Sequence, residues 1–396
     1  MTAPPGLARR LGTADAVVIG LGAMVGAGVF AAFAPAARAA GGRLLAALAI
    51  AATVAYCNAT SSARLAARYP ASGGTYVYGR ERLGPFWGYL AGWSFVVGKT
   101  ASCAAMALTF AAYAAPGRER PVAVAAVLAL TALNWRGVHR SALATRIIVA
   151  VVLTVLTAVV IAGLTAPAAP PEPRGNFPAW GVLQAAGLLF FAFAGYARIA
   201  TLGEEVKDPQ RTIPRAIPLA LAITLAVYTA VALAVLHALG PSQLAASTTP
   251  LADTAGGLSP LVRAGAATAA LGSLLALILG VSRTTLAMAR DRHLPAALDA
   301  IHPRSQVPHR AELAVGLLVA LLAATVDLRD AIGFSSFGVL LYYAIANAAA
   351  LTLPGRLIPL LGLAGCLVLA VTLPIASVLT GAAVITLGAL IYRVRT

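Results

Sequence analysis

Apolar residues along this chain fall in long runs, and short polar segments separate the runs. Each run is about 20 residues, the length a helix needs to cross a ~30 Å hydrocarbon core. The pattern predicts an all-α integral membrane protein with about twelve transmembrane helices, over residues 14–37, 44–65, 86–114, 122–138, 147–164, 182–202, 217–239, 261–288, 311–326, 331–353, 357–371 and 375–391. The last two spans are short and share a turn at Pro374. Two of the spans are interrupted. In the first, Gly20, Gly22, Gly26 and Gly28 stand where Leu or Ile would favour a helix, and each glycine costs roughly 1 kcal/mol relative to alanine. In the sixth, Phe190-Phe191-Ala192-Phe193-Ala194-Gly195-Tyr196 sets a glycine among aromatic rings. Irregular backbone at membrane depth survives only where it lines a cavity or is buried by other helices. Paired interruptions point to the substrate site of a secondary transporter.

The interruptions lie five spans apart, and an odd number of spans per unit gives two units of opposite orientation. This predicts inverted repeats over about 14–164 and 182–353, a transport core over 1–353, and two additional helices over 354–396. No clear identity links the halves, so the repeat rests on the breaks. The longest polar stretches are the proline-rich segment 166–179, the segment 240–260, and two basic connections at 67–85 and 203–216.

Of the 396 residues, 60% are hydrophobic and 11% charged, with a net charge of +16. That charge could suggest nucleic acid, but its placement argues for topology. Cationic residues crowd alternate connections, among them Arg9, Arg10, Arg64, Arg68, Arg80, Arg82, Lys207, Arg211, Arg215, Arg290 and Arg292, while Arg38, Arg43, Arg118, Arg120, Arg174, Arg263 and Arg329 fall on the other side. The positive-inside rule then puts both termini in the cytoplasm, with the surplus charge near anionic lipid of the bilayer. Heavy use of arginine and alanine suggests a GC-rich bacterial genome, hence a bacterial cytoplasmic membrane. Arg9 and Arg10 before an apolar run could mimic a signal peptide, but removing it would flip every later span. Cys57, Cys103 and Cys366 all fall inside spans and imply no disulfide framework.

Unwinding near Gly26-Ala27-Gly28 would free backbone N–H groups at the start of a half-helix, where the macrodipole is positive. Carbonyls around Met24 would face the other way. Donors for a carboxylate and acceptors for an ammonium match the two ends of an amino acid. Gly22 and Gly26 also fit the spacing of close helix packing, and Phe191 and Phe193 fit an aromatic core stripe as well as a gate. The residues alone leave both open.

Gly22 through Phe30 resembles the first-helix motif of the amino acid–polyamine–organocation superfamily of permeases. Phe191-Ala192-Phe193-Ala194-Gly195-Tyr196, with Glu204-Glu205-Val206-Lys207-Asp208-Pro209 and Thr212-Ile213-Pro214-Arg215-Ala216-Ile217, is similar to its sixth helix and following loop. Tyr69-Pro70-Ala71-Ser72-Gly73-Gly74-Thr75-Tyr76-Val77-Tyr78 resembles its first inner loop, and Ala287-Met288-Ala289-Arg290-Asp291-Arg292 with Leu294-Pro295 its eighth helix end. The resemblance implies a leucine-transporter-like fold of five plus five inverted helices. It implies a substrate carboxylate on Gly26, Ala27 and Gly28, an amino group on carbonyls of Met24, Phe191 and Ala194, Gly195 at the second break, and a gate at Phe191. The chain departs from the family at Val152, where many members carry a lysine, at Ala197, where an acid often stands, and at Arg64, in place of a glutamate.

Lys99 lies about 13 residues from the nearer end of its span, roughly 20 Å at 1.5 Å per residue. A lysine stem cannot snorkel that far, so its ammonium faces the bundle interior. It is the candidate for proton coupling, or else a structural lysine on broken-helix carbonyls. Arg198, about one turn from the inner end of span six, reads as an anchor or a cytoplasmic gate. All thirteen acids fall at span ends or in loops. A cationic substrate would then sit beside a like charge with no ionic partner, so neutral amino acids are favoured. The expected function is a secondary active amino acid permease with no cofactor and no nucleic-acid partner, with protons as a possible co-substrate. An amino acid or polyamine exchanger or exporter, a channel and a sensing membrane protein are the alternatives. An enzyme is not expected: the five histidines, His139, His237, His293, His302 and His309, match no zinc spacing.

Overall fold

The computed structural model describes residues 11–69, 73–136, 142–172, 178–200, 202, 205–302 and 307–395. Arg9, Arg10, His139, Arg174, Gly203, Glu204 and the Pro70-Ala71-Ser72 part of the inner-loop motif lie outside them. The described chain is helical: α1 (Thr13–Met24), α2 (Ala27–Ala31), α3 (Phe33–Ala40), α4 (Leu44–Arg68), α5 (Thr75–Leu83), α6 (Pro85–Ala114), α7 (Glu119–Trp135), α8 (Ala142–Thr165), α9 (Ala179–Phe193), α10 (Ala197–Ala200), α11 (Pro209–Ala246), α12 (Pro250–Thr254), α13 (Ser259–Arg290), α14 (His309–Thr325), α15 (Leu328–Ala350), α16 (Leu357–Thr372) and α17 (Ile375–Arg395). Strand-like pairing among the described residues is limited to one isolated bridge, Leu11 with Val206.

Each predicted apolar run falls on a helix. Nine helical stretches among the described residues are long and apolar enough to cross a membrane; α7 and α14 have 17 residues and α16 has 16. Length and composition pick out nine candidate crossings, and the expected count of twelve needs α7, α14 and α16 as well. Two connections hold more structure than polarity suggests. The segment 67–85 contains α5, closed by Gly84 at φ 106°, a backbone angle that favours glycine. Within the segment 203–216, α11 already starts at Pro209, because proline is suited to the first helical turn. That helix is interrupted at Gly240, φ 70°, the place where the seventh run was expected to end.

Helix α1 packs against α8 and α11, α6 against α13 and α15, and α4 against α9 and α11. Helix α16 packs on α15, α4 and α9. There, buried Asn347 Nδ2 donates to Asn58 Oδ1 at 2.6 Å, and the Cys366 thiol donates to the same oxygen at 3.3 Å. Trp93 Nε1 reaches Val384 O at 2.9 Å and ties α17 to α6. The C-terminal helices are thus fastened to the rest through Cys366 and through Val384, while Asn58 Nδ2 and Asn347 Oδ1 have no hydrogen-bond partner among the described residues. Near the C-terminal end of α4, Arg64 donates to the carbonyls of Pro354 and Gly355 and closes the turn before α16.

Candidate functional site

The first helix is broken. α1 stops at Met24, Val25 turns away at ψ 24°, Gly26 at ψ −135°, and α2 restarts at Ala27. The chain bends again at Ala32, whose N–H still bonds Gly28 O at 3.0 Å. A break of this kind orphans the last carbonyls of α1. The second interruption is milder than a break. α9 runs to Phe193, a 3₁₀ turn covers Ala194–Tyr196, and α10 follows without leaving helical angles. A 3₁₀ turn shifts bonding from i+4 to i+3 and weakens it, so carbonyls here also need other partners.

Three side chains from three helices supply those partners. Tyr228 of α11 lies with its hydroxyl 2.6 Å from Met24 O and 3.0 Å from Ala192 O. Tyr343 of α15 donates to Ala194 O at 3.4 Å. Lys99 of α6 donates to the same carbonyl at 3.5 Å. All three are buried, Lys99 with 8% exposure. The rings are fixed in turn: Tyr228 meets Phe193 edge-on at 5.1 Å, and Tyr343 stacks on Tyr196 at 4.9 Å. Lys99 reaches inward because α6 crosses α15 closely next door. A Cβ at Gly98 would stand 3.2 Å from Gly338 Cα.

The two interruptions touch. A Cβ at Gly28 would come within 2.7 Å of Ala192 Cα, and one at Gly195 would stand 2.7 Å from Met24 N and collide with Ala23. A Cβ at Gly26 would collide with Ser273 Oγ of α13. Met24, Ala27, Gly28, Ala192, Phe193 and Ala194 are buried together, with Phe191 at 7% exposure. Among the described residues Phe190 and Phe193 make ring contacts, with Tyr343 and Tyr228, and Phe191 makes none. Arg198 is half exposed and 3.8 Å from the Glu205 carboxylate.

Gly22, Val25, Gly26, Val149, Val152 and Ser273 surround a void large enough for about one water molecule. The histidines 302 and 309 meet ring to ring at 5.5 Å, while His293 belongs to a separate cluster with Tyr76 and Asp291. Sequence reasoning missed Tyr228, Tyr343 and Ser273. The signal was present for the tyrosines: a phenol inside an apolar span needs a hydrogen-bond partner.

The model of the amino acid permease family matches residues 11–391, nearly the whole chain. The chain belongs to the amino acid permease family. Its relatives include an uncharacterized transporter of Mycobacterium tuberculosis strain H37Rv, 68% identical across 99% of this chain and 92% of the relative. A vacuolar cationic amino acid transporter of Arabidopsis thaliana is 30% identical across 88% of this chain and 64% of its own length. The branched-chain amino acid permease BcaP of Bacillus subtilis is 26% identical across 88% and 81%. This permease is thus an integral membrane protein of a transporter family, within the amino acid–polyamine–organocation superfamily.

Proposed function

We propose that this permease is a secondary active carrier of neutral amino acids, working by alternating access in a bacterial cytoplasmic membrane with both termini inside. Its core is residues 1–353, two inverted five-helix repeats at about 14–164 and 182–353, and 354–396 adds two further spans. The observation that carries the reading is the meeting of two interrupted helices whose freed carbonyls are gathered by Tyr228, Tyr343 and Lys99. In the proposal the substrate carboxylate is held by backbone N–H groups of Gly26, Ala27 and Gly28, and the ammonium by carbonyls of Met24, Phe191 and Ala194. Phe191, the ring without an aromatic partner, closes over the substrate beside Phe193 and Gly195. Arg198 stands at the cytoplasmic mouth.

Neutral substrates are favoured because the buried charge beside Ala194 is an ammonium. The substrate's own ammonium is balanced by its carboxylate, whereas a further guanidinium or ammonium would be desolvated near Lys99 without such a partner, and cation–π contacts return only ~0.5–2 kcal/mol. Among the relatives whose names give a substrate, the branched-chain permease agrees with this chemistry better than the cationic amino acid transporters. Lys99 is the coupling candidate: its ammonium holds the Ala194 carbonyl, so a change in its charge would free the 3₁₀ segment. The test is competition for counterflow in proteoliposomes. Neutral amino acids should compete, while their decarboxylated amines and arginine should not. Competition by the amines would remove the carboxylate site, and competition by arginine the charge argument. Lys99→Ala should remove the response to a proton gradient while counterflow persists, and unchanged gradient-driven uptake would make Lys99 purely structural.

A further inference from the structure

Among the described residues two charged side chains are buried, Lys99 and Glu312. Glu312 was expected at a span end, and so it lies, in the first turn of α14 with its N–H on Pro308 O at 2.9 Å. Yet it has 0% exposure, and neither carboxylate oxygen has a hydrogen-bond donor among the described residues. A carboxylate so placed is tolerated only when it is protonated or joined by a cation.

The elements packed against α14 are α13, α6, α7 and the turn Ala296–Asp299. Arg283 is an exposed residue of α13, which packs against α14. Arg290 of α13 is engaged with Asp299 of the turn at 3.0 Å. Lys99 and Cys103 on α6 sit near mid-span, and α7 carries Glu119 and Arg120 at its start and borders Arg136 at its end. On α14 itself, His309 is at the N-terminus and Arg310 donates to Ala297 O at 3.4 Å. Arg283 is therefore the cation placed to answer a charge on Glu312.

We propose that Glu312 is a proton-binding site of this carrier. In the conformation described here its carboxyl keeps the proton. A movement of α13 that brings the Arg283 guanidinium to it breaks the carboxyl O–H bond, passes the proton to cytoplasmic water and leaves a carboxylate–guanidinium pair. Reversal takes the proton back. The inference rests on the carrier reading above and adds to Lys99 a site that touches no substrate.

The experiment uses the full chain in proteoliposomes, with amino acid counterflow at equal pH and uptake against an imposed pH gradient. Glu312→Gln should keep counterflow and lose both accumulation and its pH profile. Glu312→Asp should retain part of the profile, and Arg283→Gln should displace it. Wild-type accumulation by Glu312→Gln with an unaltered pH profile would overturn the proposal, and so would a wild-type protein indifferent to the gradient. If Glu312→Gln does not reach the membrane, Glu312→Asp decides: an unshifted profile overturns the proposal. Absence of counterflow in the wild type itself would instead sink the carrier reading.

Discussion

Tyr228 carries more of the site's geometry than any residue singled out by glycine pattern. Its one hydroxyl is shared by a carbonyl from each interrupted helix, and an unpaired carbonyl at that depth has no water to turn to. Tyr228→Phe should lower stability by about 1 kcal/mol, seen as a lower midpoint of thermal unfolding in detergent, and should weaken substrate affinity. An unchanged midpoint together with unchanged affinity would mean the carbonyls find other partners. Gly28 makes a second prediction. A Cβ there meets backbone at Ala192, which cannot swing aside, so Gly28→Ala should cost about 1–3 kcal/mol in the same measurement. Gly26→Ala meets only the Ser273 side chain and should be rescued by Ser273→Gly if packing is the reason for that glycine. The glycines were legible in the sequence because Gly20, Gly22, Gly26 and Gly28 crowd one span and together lower its helix propensity. Tyr228 and Tyr343 were not, because a tyrosine's partner is decided by which helix the fold lays beside it.

Between elements, α5 and the segment after α13 form a clasp of similar precision. Tyr76 of α5 donates to the Asp291 carboxylate beyond α13, and its oxygen lies 3.0 Å from His293 Nδ1. Arg80 pairs with Asp291 at 3.2 Å and lies over the Tyr76 ring at 5.7 Å. Burial pushes His293 below its usual 6.5, with Asp291 opposing and Arg80 assisting. The unfolded chain thus takes up its proton near pH 6.5, and the folded protein only at lower pH. The stability linked to neutral His293 is present above about 6.5 and is lost as pH falls through the folded value. The unfolding midpoint should therefore drop between pH 7 and pH 5, and His293→Gln should flatten part of that slope. Parallel curves for wild type and variant would remove His293 from the clasp's energetics. Tyr76 and Asp291 belong to motifs visible in the sequence, but their meeting was not. Polarity marked 67–85 as a connection and hid α5 within it.

For the whole molecule, apolar runs located every major helix, because twenty-residue apolar segments have few alternatives to a buried helix. Length did not decide how many of them cross the bilayer, since α7, α14 and α16 are shorter than the rest. The first break was placed within two residues by its glycines. The second was overdrawn: Gly195 permits an unwound segment, but contact with α1 and the bonds from Tyr343 and Lys99 hold it as a 3₁₀ turn. The buried acid was missed for a related reason. Position along a helix says how far Glu312 is from the span's end, and nothing about which neighbours cover it.

The central claim is that the two touching interruptions form an amino acid site in a carrier. Counterflow of radiolabelled neutral amino acids into proteoliposomes preloaded with the same compound tests it most directly. Uptake of at least one neutral amino acid should be saturable, accelerated by substrate on the far side and weakened in Phe191→Ala more than in Phe191→Trp. Flux that rises linearly with concentration, without acceleration from the far side and with both Phe191 variants behaving as wild type, would contradict it.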